Sequence, residues 1–295
     1  MDMINHNLSI FIKVADSGSV TETANALYIS QPAVSKAVIQ LEQELGIKLF
    51  HRNKRRGLIL TDAGRTILRY AHQMQELENH ILQTAYQEKN FLGGRLRIAS
   101  FPIVTSTLLS KAIHQYRQQY PQVELELLDR DPKTVQRLVE DHAVDFGISA
   151  SPYGRVDHEL LYMDRMVGIG LPGESLPEQI DLFGGTKNLI FCDAGKETTI
   201  ETLKGPQAIR FSDSLIVQNH ETIINMVEEG NGIGVISEYT LNAIPNDLVR
   251  FPVVPPVEIE VSLVAPSLSD LTPVAQEFVR ILKVLVRQTI HAEQA

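Results

Sequence analysis

Residues 18–61, GSVTETANALYISQPAVSKAVIQLEQELGIKLFHRNKRRGLILT, constrain the fold more than any other part of the chain. They read as two short helices joined by a tight turn, followed by a basic hairpin. That order predicts a winged helix-turn-helix, a shape that lays its second helix in the major groove of DNA. Thr21 is placed to cap a first helix carrying Ala24, Ala26 and Leu27. Ser30 is an N-cap for the second helix, with Pro32 just inside it, where a missing N–H costs nothing. Val34, Val38 and Leu41 recur at helical spacing and face the domain core, whereas Gln31, Ser35 and Lys36 near the helix start point outward. Glutamine and serine exchange hydrogen bonds with base edges, and lysine reaches a guanine edge or a phosphate. Leu49 and Phe50 continue the core. Arg52, Lys54, Arg55, Arg56 and Gly57 form a basic turn, and Leu58, Ile59 and Leu60 return from it as a short strand. The expected DNA-binding set is Thr21, Ser30, Gln31, Pro32, Ser35, Lys36, Arg52, Lys54, Arg55 and Arg56.

Two capped helices and a basic turn also occur in folds that never touch DNA, so charge placement matters. Residues 1–61 hold seven basic side chains against five acidic ones, or +2, in a chain whose net charge is −9. The remainder therefore carries −11. A locally basic module on an acidic protein fits a DNA reader whose other domain avoids DNA.

In the same stretch, Leu8, Phe11, Val14, Ala15, Gly18, Ser19, Ala24 and Leu27 precede SQPAVS at Ser30–Ser35. Leu41, Glu42, Leu45, Gly46, Leu49, Phe50, Arg52, Leu60, Thr61 and Gly64 follow. This register resembles the N-terminal signature of LysR-type transcriptional regulators, and the resemblance extends more weakly over the rest of the chain. Thr23 stands where the family usually has an alanine. Ile39 stands where a basic or polar residue is common, which leaves the operator sequence open.

Length and composition fit a multidomain cytoplasmic protein. The chain has 295 residues, 43% of them apolar, and one cysteine, Cys192. No apolar run reaches the roughly 18 to 20 residues that a membrane helix needs. The start, MDMINHN, has neither a basic lead nor an apolar signal core. A single cysteine excludes an internal disulfide and a thiolate-rich metal site. The nine histidines show no metal spacing, so no cofactor or metal is expected.

From Asp62 to about Asn90 the chain reads as one helix. Ile67, Tyr70, Met74, Leu77, Ile81 and Thr84 alternate steps of three and four, the spacing of a coiled-coil seam. One reading pairs this helix with a second copy, placing two winged domains side by side; the other packs it on its own domain. The family resemblance implies pairing, as a homodimer or homotetramer.

Beyond Gly94 the periodicity changes to alternating strands and helices. Strands are predicted at 95–100, 123–128, 144–149, 188–192 and 215–218. Helices are predicted at 105–120, 132–141, 221–229 and 273–288. Two such units in tandem predict an α/β bilobed clamp that binds ligands at the carboxyl ends of its strands. Gly230, Gly232 and Gly234 follow a helix and precede a strand, the wrong order for a nucleotide loop, so they read as a tight turn. The resemblance implies an effector domain like a periplasmic binding protein, with the chain crossing between lobes near Tyr162–Arg165 and Val264–Ser267.

The expected organisation is a winged helix-turn-helix at 1–61, a linker and dimerisation helix at 62–92, and an effector domain at 93–295. Lobe I comprises 93–163 and 266–295, and lobe II comprises 164–265. Expected effector-binding residues in lobe I are Ser100, Phe101, Pro102, Ile103 and Ser149. Those in lobe II are Asp193, Thr198, Thr199, Gln218, Asn219 and His220. A hydroxyl at a strand end, followed by free N–H groups opening a helix, suits a carboxylate or other small anion. Ser100, Thr198 and Thr199 fit equally as plain helix caps, His220 as a surface residue and Cys192 as a buried structural thiol. Hydroxyls without an arginine clamp predict a small polar or anionic effector, an organic acid or amino-acid relative.

The function expected is ligand-controlled transcription. Its partners are double-stranded operator DNA, further copies of the chain and RNA polymerase, with no membrane role and no catalysis. An enzyme or solute-binding protein using the clamp, or a DNA-binding protein without an effector, are the competing readings.

Overall fold

The local signals of the N-terminal region become regular structure almost residue by residue. In this computed structural model the described residues are 4–53, 57–88, 92–173, 175–183, 187–193, 199–200 and 214–293. Helix α1 (His6–Ser17) ends where Gly18 turns left-handed at φ 67°. Helix α2 (Val20–Ala26) and helix α3 (Gln31–Leu45) follow. Strand β1 (Phe50–Asn53) pairs antiparallel with β2 (Gly57–Leu60), Phe50 facing Leu60. Ile10, Val14, Ala24, Val34, Ala37 and Val38 form the small core beneath α3.

Thr21 does not cap α2. The cap is Ser19, whose extended backbone at φ −144° follows Gly18 and lets its hydroxyl accept the Glu22 N–H at 3.2 Å. Thr21 lies inside the first turn with its side chain exposed. Thr23 is buried, but its hydroxyl donates to the Ser19 carbonyl at 2.9 Å and lies 2.9 Å from the Ser17 hydroxyl. A threonine in this packed position therefore leaves no polar atom stranded.

Helix α4 (Asp62–Gln87) is opened by Thr61, whose hydroxyl accepts the Gly64 N–H at 2.8 Å. Gly64 is required there, because a Cβ would sit 2.2 Å from the Leu49 carbonyl oxygen. One side of α4 carries the expected seam: Tyr70, Met74, Leu77 and Ile81 are 56, 48, 63 and 58% exposed. The other side is polar and docked. Asn79 donates to the Arg95 carbonyl at 2.8 Å, and buried Gln83 accepts the Val274 N–H at 3.4 Å. Buried His72 donates Nδ1–H to the Asp141 carbonyl at 3.0 Å, and its Nε2 lies 3.3 Å from the Asp16 carboxylate of α1. His142 places Nδ1 2.7 Å from Glu76 and Nε2 3.0 Å from the Gln73 amide. Hydrogen bonds rather than apolar packing hold α4 to the domain behind it.

That domain is built on one continuous run of strands. Strand β3 (Gly94–Ser100) lies parallel to β4 (Val123–Asp129) and β5 (Phe146–Ala150). A helical run joins β3 to β4. It starts as α5 (Pro102–Val104), widens into a π-turn at Thr105–Leu109 and continues as α6 (Ser110–Gln119). Helix α7 (Pro132–Glu140) joins β4 to β5.

Strand β6 (Asp157–Gly170) is 14 residues long and serves both lobes. The second lobe adds β7 (Ile180–Asp181), β8 (Leu189–Cys192), β9 (Leu215–Val217) and helix α8 (His220–Glu228). Strand β10 (Ile233–Ser237), helix α9 (Glu238–Ala243) and strand β11 (Val249–Val254) follow. Strand β12 (Glu258–Ala265) and helix α10 (Pro273–Glu293) return to the first lobe. The strand order is β4-β3-β5-β12-β6-β10-β8-β9, with β11 against β6 and β7.

Strand β6 changes partners midway. Arg165 pairs with Glu258 of β12, and the next residue, Met166, pairs with Ser237 of β10. The second passage differs from expectation. Val264 does not leave the first lobe: all of β12 pairs with β6, and Val261–Val264 also pair with β5. The chain therefore returns at 255–257, just after β11, where Pro255 and Pro256 have no N–H to extend a ladder.

Candidate functional site

Two surfaces carry the chemistry. On the N-terminal head, the Ser30 hydroxyl accepts the Ala33 N–H at 3.3 Å and fixes the start of α3. Val34, Ala37, Val38 and Leu41 are buried on one side of that helix. Gln31, Pro32 and Lys36 stand exposed on the other, with Ser35 half-buried between. Tyr28, 96% exposed at φ 55°, precedes them in the turn. Arg52 pairs with Leu58 in the hairpin. Lys54, Arg55 and Arg56 lie outside the described residues.

A buried carboxylate ties α3 to this wing. Glu42 accepts the Leu49 N–H at 2.9 Å and the Phe50 N–H at 3.4 Å, and pairs with Lys48. Burial alone raises its pKa, but those donors outweigh burial and hold it below the ordinary glutamate value.

The second surface is a cavity of about 850 Å³ between the two lobes. Phe101, Pro102 and Ile103 reach it from the first lobe, and Gln218, Asn219 and His220 from the second, as the sequence led us to expect. Ser100 is fully buried at the end of β3 and does not line the cavity; its hydroxyl faces the Phe101 carbonyl at 3.5 Å. Ser149 is also buried inside the lobe. Its hydroxyl donates to the Pro132 carbonyl at 3.0 Å and accepts from Gln136 at 3.1 Å. Thr199 is buried off the cavity and Asp193 is exposed off it. Thr198 lies outside the described residues.

His220 is half-buried in the cavity wall. Burial pushes its pKa down to about 4, and its Nε2 lies 3.1 Å from the Cys192 sulfur. Both line the cavity.

Sequence reasoning missed the acidic lining. Asp129 ends β4 and Asp131 caps α7, accepting the Thr134 N–H at 2.9 Å. Asp164 lies within β6, where one oxygen accepts the Arg165 N–H at 2.8 Å and the Tyr239 N–H at 3.1 Å. Glu221 stands in the first turn of α8. Burial raises the pKa of Asp129 and, despite its hydrogen bonds, that of Asp164. For Asp131 burial also raises the pKa, but its bonds to Thr134 outweigh this and the net shift is downward. The Asp131-Pro132 pair, a cap followed by a first-turn proline just after a strand, was the one local signal available. Across the cleft, the Thr107 hydroxyl meets the Tyr239 hydroxyl at 2.8 Å. No group of three or more metal-ligating side chains occurs among the described residues.

A DNA-reading helix on a winged head, joined by one long helix to a two-lobed clamp, defines a ligand-responsive transcription factor. The chain belongs to the LysR family. Residues 6–65 match the model for "Bacterial regulatory helix-turn-helix protein, lysR family", and residues 89–286 match "LysR substrate binding domain". It is 40% identical over 289 residues to the "Uncharacterized HTH-type transcriptional regulator YoaU" of Bacillus subtilis, covering 97% of this chain and 100% of that one. A second Bacillus subtilis regulator, YvbU, is 30% identical and is covered over 97% of its length by 94% of this chain.

Among solved structures, a full-length OxyR variant from Pseudomonas aeruginosa superposes with a TM-score of 0.69 at 21% identity, covering 97% of this chain and 95% of that one. CbnR in complex with its target DNA superposes at 0.59 and 18% identity, covering 96% of this chain and 100% of that one. These likenesses support the fold. The chain is a transcriptional regulator with a DNA-binding head and an effector-binding domain, not an enzyme. No helix among the described residues is long and apolar enough to cross a membrane.

Proposed function

We propose that this regulator acts as a homodimer or a pair of dimers, joined along α4, whose DNA placement is set by a small molecule in the interlobe cleft. The observation that carries this reading is the uncovered apolar stripe Tyr70, Met74, Leu77 and Ile81, on a helix whose opposite side is already docked. Exposed apolar rows at seam spacing are covered by a second helix far more cheaply than by water. In this arrangement Gln31, Pro32, Ser35 and Lys36 face base edges in the major groove. Ser30 positions the helix, Thr21 lies at the backbone, and Arg52, Lys54, Arg55 and Arg56 supply phosphate contacts.

The effector shifts the balance between two arrangements of the paired heads because it binds one of them better. RNA polymerase then reads the altered DNA complex. The functional units are the head at 1–61, the linker helix at 62–92 and the clamp at 93–295, with the second passage between lobes at 255–257. Fluorescence anisotropy with DNA flanking the coding region, across a salt series and with pooled small metabolites, tests the reading. Specific, salt-sensitive binding that a metabolite fraction alters is expected. Equal, weak binding to every sequence would refute it.

A further inference from the structure

The charge of the effector can be read from the walls of the cleft, given the reading above that the cleft receives it. Four carboxylates face the cavity among the described residues, Asp129, Asp131, Asp164 and Glu221, and no lysine or arginine joins them. They approach from both sides: Asp129 and Asp131 stand on the first lobe, Glu221 on the second, and Asp164 on the strand that links them. Among the described residues, three arginines adjoin these carboxylates without lining the cavity. Arg165 is held by both oxygens of Glu238, and Arg130 and Arg137 act on Asp129 and Asp131 without lining the cavity. The imidazole of His220 is neutral.

Helix starts would ordinarily supply positive character for an anion. Three of the helix starts at the cleft are already capped, while the run that begins at Pro102 is opened by Phe101 without a side-chain cap. Asn219 caps α8, Asp131 caps α7 and Ser237 caps α9, each accepting an N–H of its own helix. An anionic ligand would therefore enter a cleft that offers it carboxylates on both walls and no free cation among the described residues.

We propose that the effector is a cation, a small molecule bearing a protonated amine or guanidinium, with its apolar part against Met166, Ile259 and Val261. These three side chains line the cavity beside the carboxylates. A positive group brought within hydrogen-bonding distance restores what burial takes from Asp164, whose charged form the surroundings disfavour. The bond formed is charge-assisted and directional, so a cation of the wrong length gains less. This reverses the anion that the strand-end hydroxyls suggested: Ser100 and Ser149 do not line the cavity.

Calorimetry on the full-length protein without DNA tests the assignment, using 1,4-diaminobutane, agmatine and arginine against succinate and glutarate at constant ionic strength. At least one amine is expected to bind, with Asp164→Asn and Asp129→Asn each weakening it tenfold or more. Asparagine at 164 keeps an oxygen for the Arg165 and Tyr239 N–H groups, and position 129 is exposed, so both variants are expected to fold. Binding of a dicarboxylate with no amine response overturns the proposal, as does amine affinity unchanged in both variants, or no amine binding at millimolar concentration. Anisotropy with operator DNA separates this from the regulator reading. A carboxylate that alters the DNA complex leaves the regulator standing and removes the cation. Failure to bind any DNA specifically removes the regulator, whatever the amines do.

Discussion

The head and the clamp meet their partners in opposite ways. The head presents a convex helix whose recognition side chains are exposed, on a segment that carries +2 in its first 61 residues. The clamp presents a concave cavity walled by carboxylates, in the part of the chain that carries −11. Their polar interiors differ too. The head keeps one buried carboxylate charged by surrounding Glu42 with N–H donors and Lys48. The clamp buries Asp145 beside Arg97 and still raises its pKa, and it neutralises His220 outright. In the head, charge fixes the join between the recognition helix and the wing; in the clamp, burial sets how readily a group ionises.

The largest expected effect comes from severing the two regions' common support. Leu77→Asp, on the exposed stripe of α4, is expected to give monomers by light scattering and to lower operator affinity by about 100-fold. Losing one of two linked heads forfeits avidity of roughly that order. Unchanged mass and affinity would mean that the head works alone.

Acid separates the two regions next. His220 is held near pKa 4 against an ordinary value of 6.5, so the folded clamp resists a proton that the unfolded chain accepts. The resulting stability is fully present above about pH 6.5 and is lost as pH falls from there towards 4. By linkage it amounts to about 3 kcal/mol. His220→Asn is expected to flatten that limb in urea titrations run from pH 7 to pH 4. The raised Asp129, Asp145 and Asp164 act in the opposite sense at the acid end, so the difference between variant and parent is the quantity to measure. Glu42, whose pKa is lowered, loses its contribution only below the ordinary glutamate range. The clamp should therefore weaken before the head. Simultaneous weakening would break the contrast.

A smaller effect is expected from Glu42→Ala, which strands the Leu49 and Phe50 N–H groups. The cost is about 2 kcal/mol, read as a lower urea midpoint for the head. Smallest are the DNA contacts taken singly. Lys36→Ala should cost about 1 to 2 kcal/mol of operator affinity, and Arg52→Ala should reduce the salt slope by about one unit. An unchanged slope would exclude a phosphate contact at Arg52.

How much of each region could be read in advance follows from the distance over which its structure is decided. In the head, Ser30, Pro32 and Gly46 bound α3 within a few residues of the turns they control. One slip, Thr21 for Ser19, separates two hydroxyls two positions apart, and a left-handed glycine beside one of them settles it; helix α1, before residue 18, was not read at all. In the clamp, β6 and β12 went unrecognised. Asp164, Arg165, Glu258 and Glu260 interrupt their apolar pattern, and their strand character comes from partners about 100 residues away. The acidic cleft was hidden for the same reason. Asp129, Asp164 and Glu221 have no common motif and meet only after the sheet order is fixed.

The docking of α4 has a mechanical consequence. His72 is shared between Asp16 of the head and Asp141 of the first lobe, while Asn79 and Gln83 hold the same helix further along. One helix thus touches both the head and the first lobe, while the second lobe is joined to the first through β6 and residues 255–257. At about 1.5 Å per residue α4 is a strut of about 39 Å, so a tilt of about 5° imposed at one end displaces the other by about 3 Å. That is close to the axial rise of one base pair. On the proposed mechanism, a tilt of that size at the clamp end would shift a head by about one base pair along its DNA.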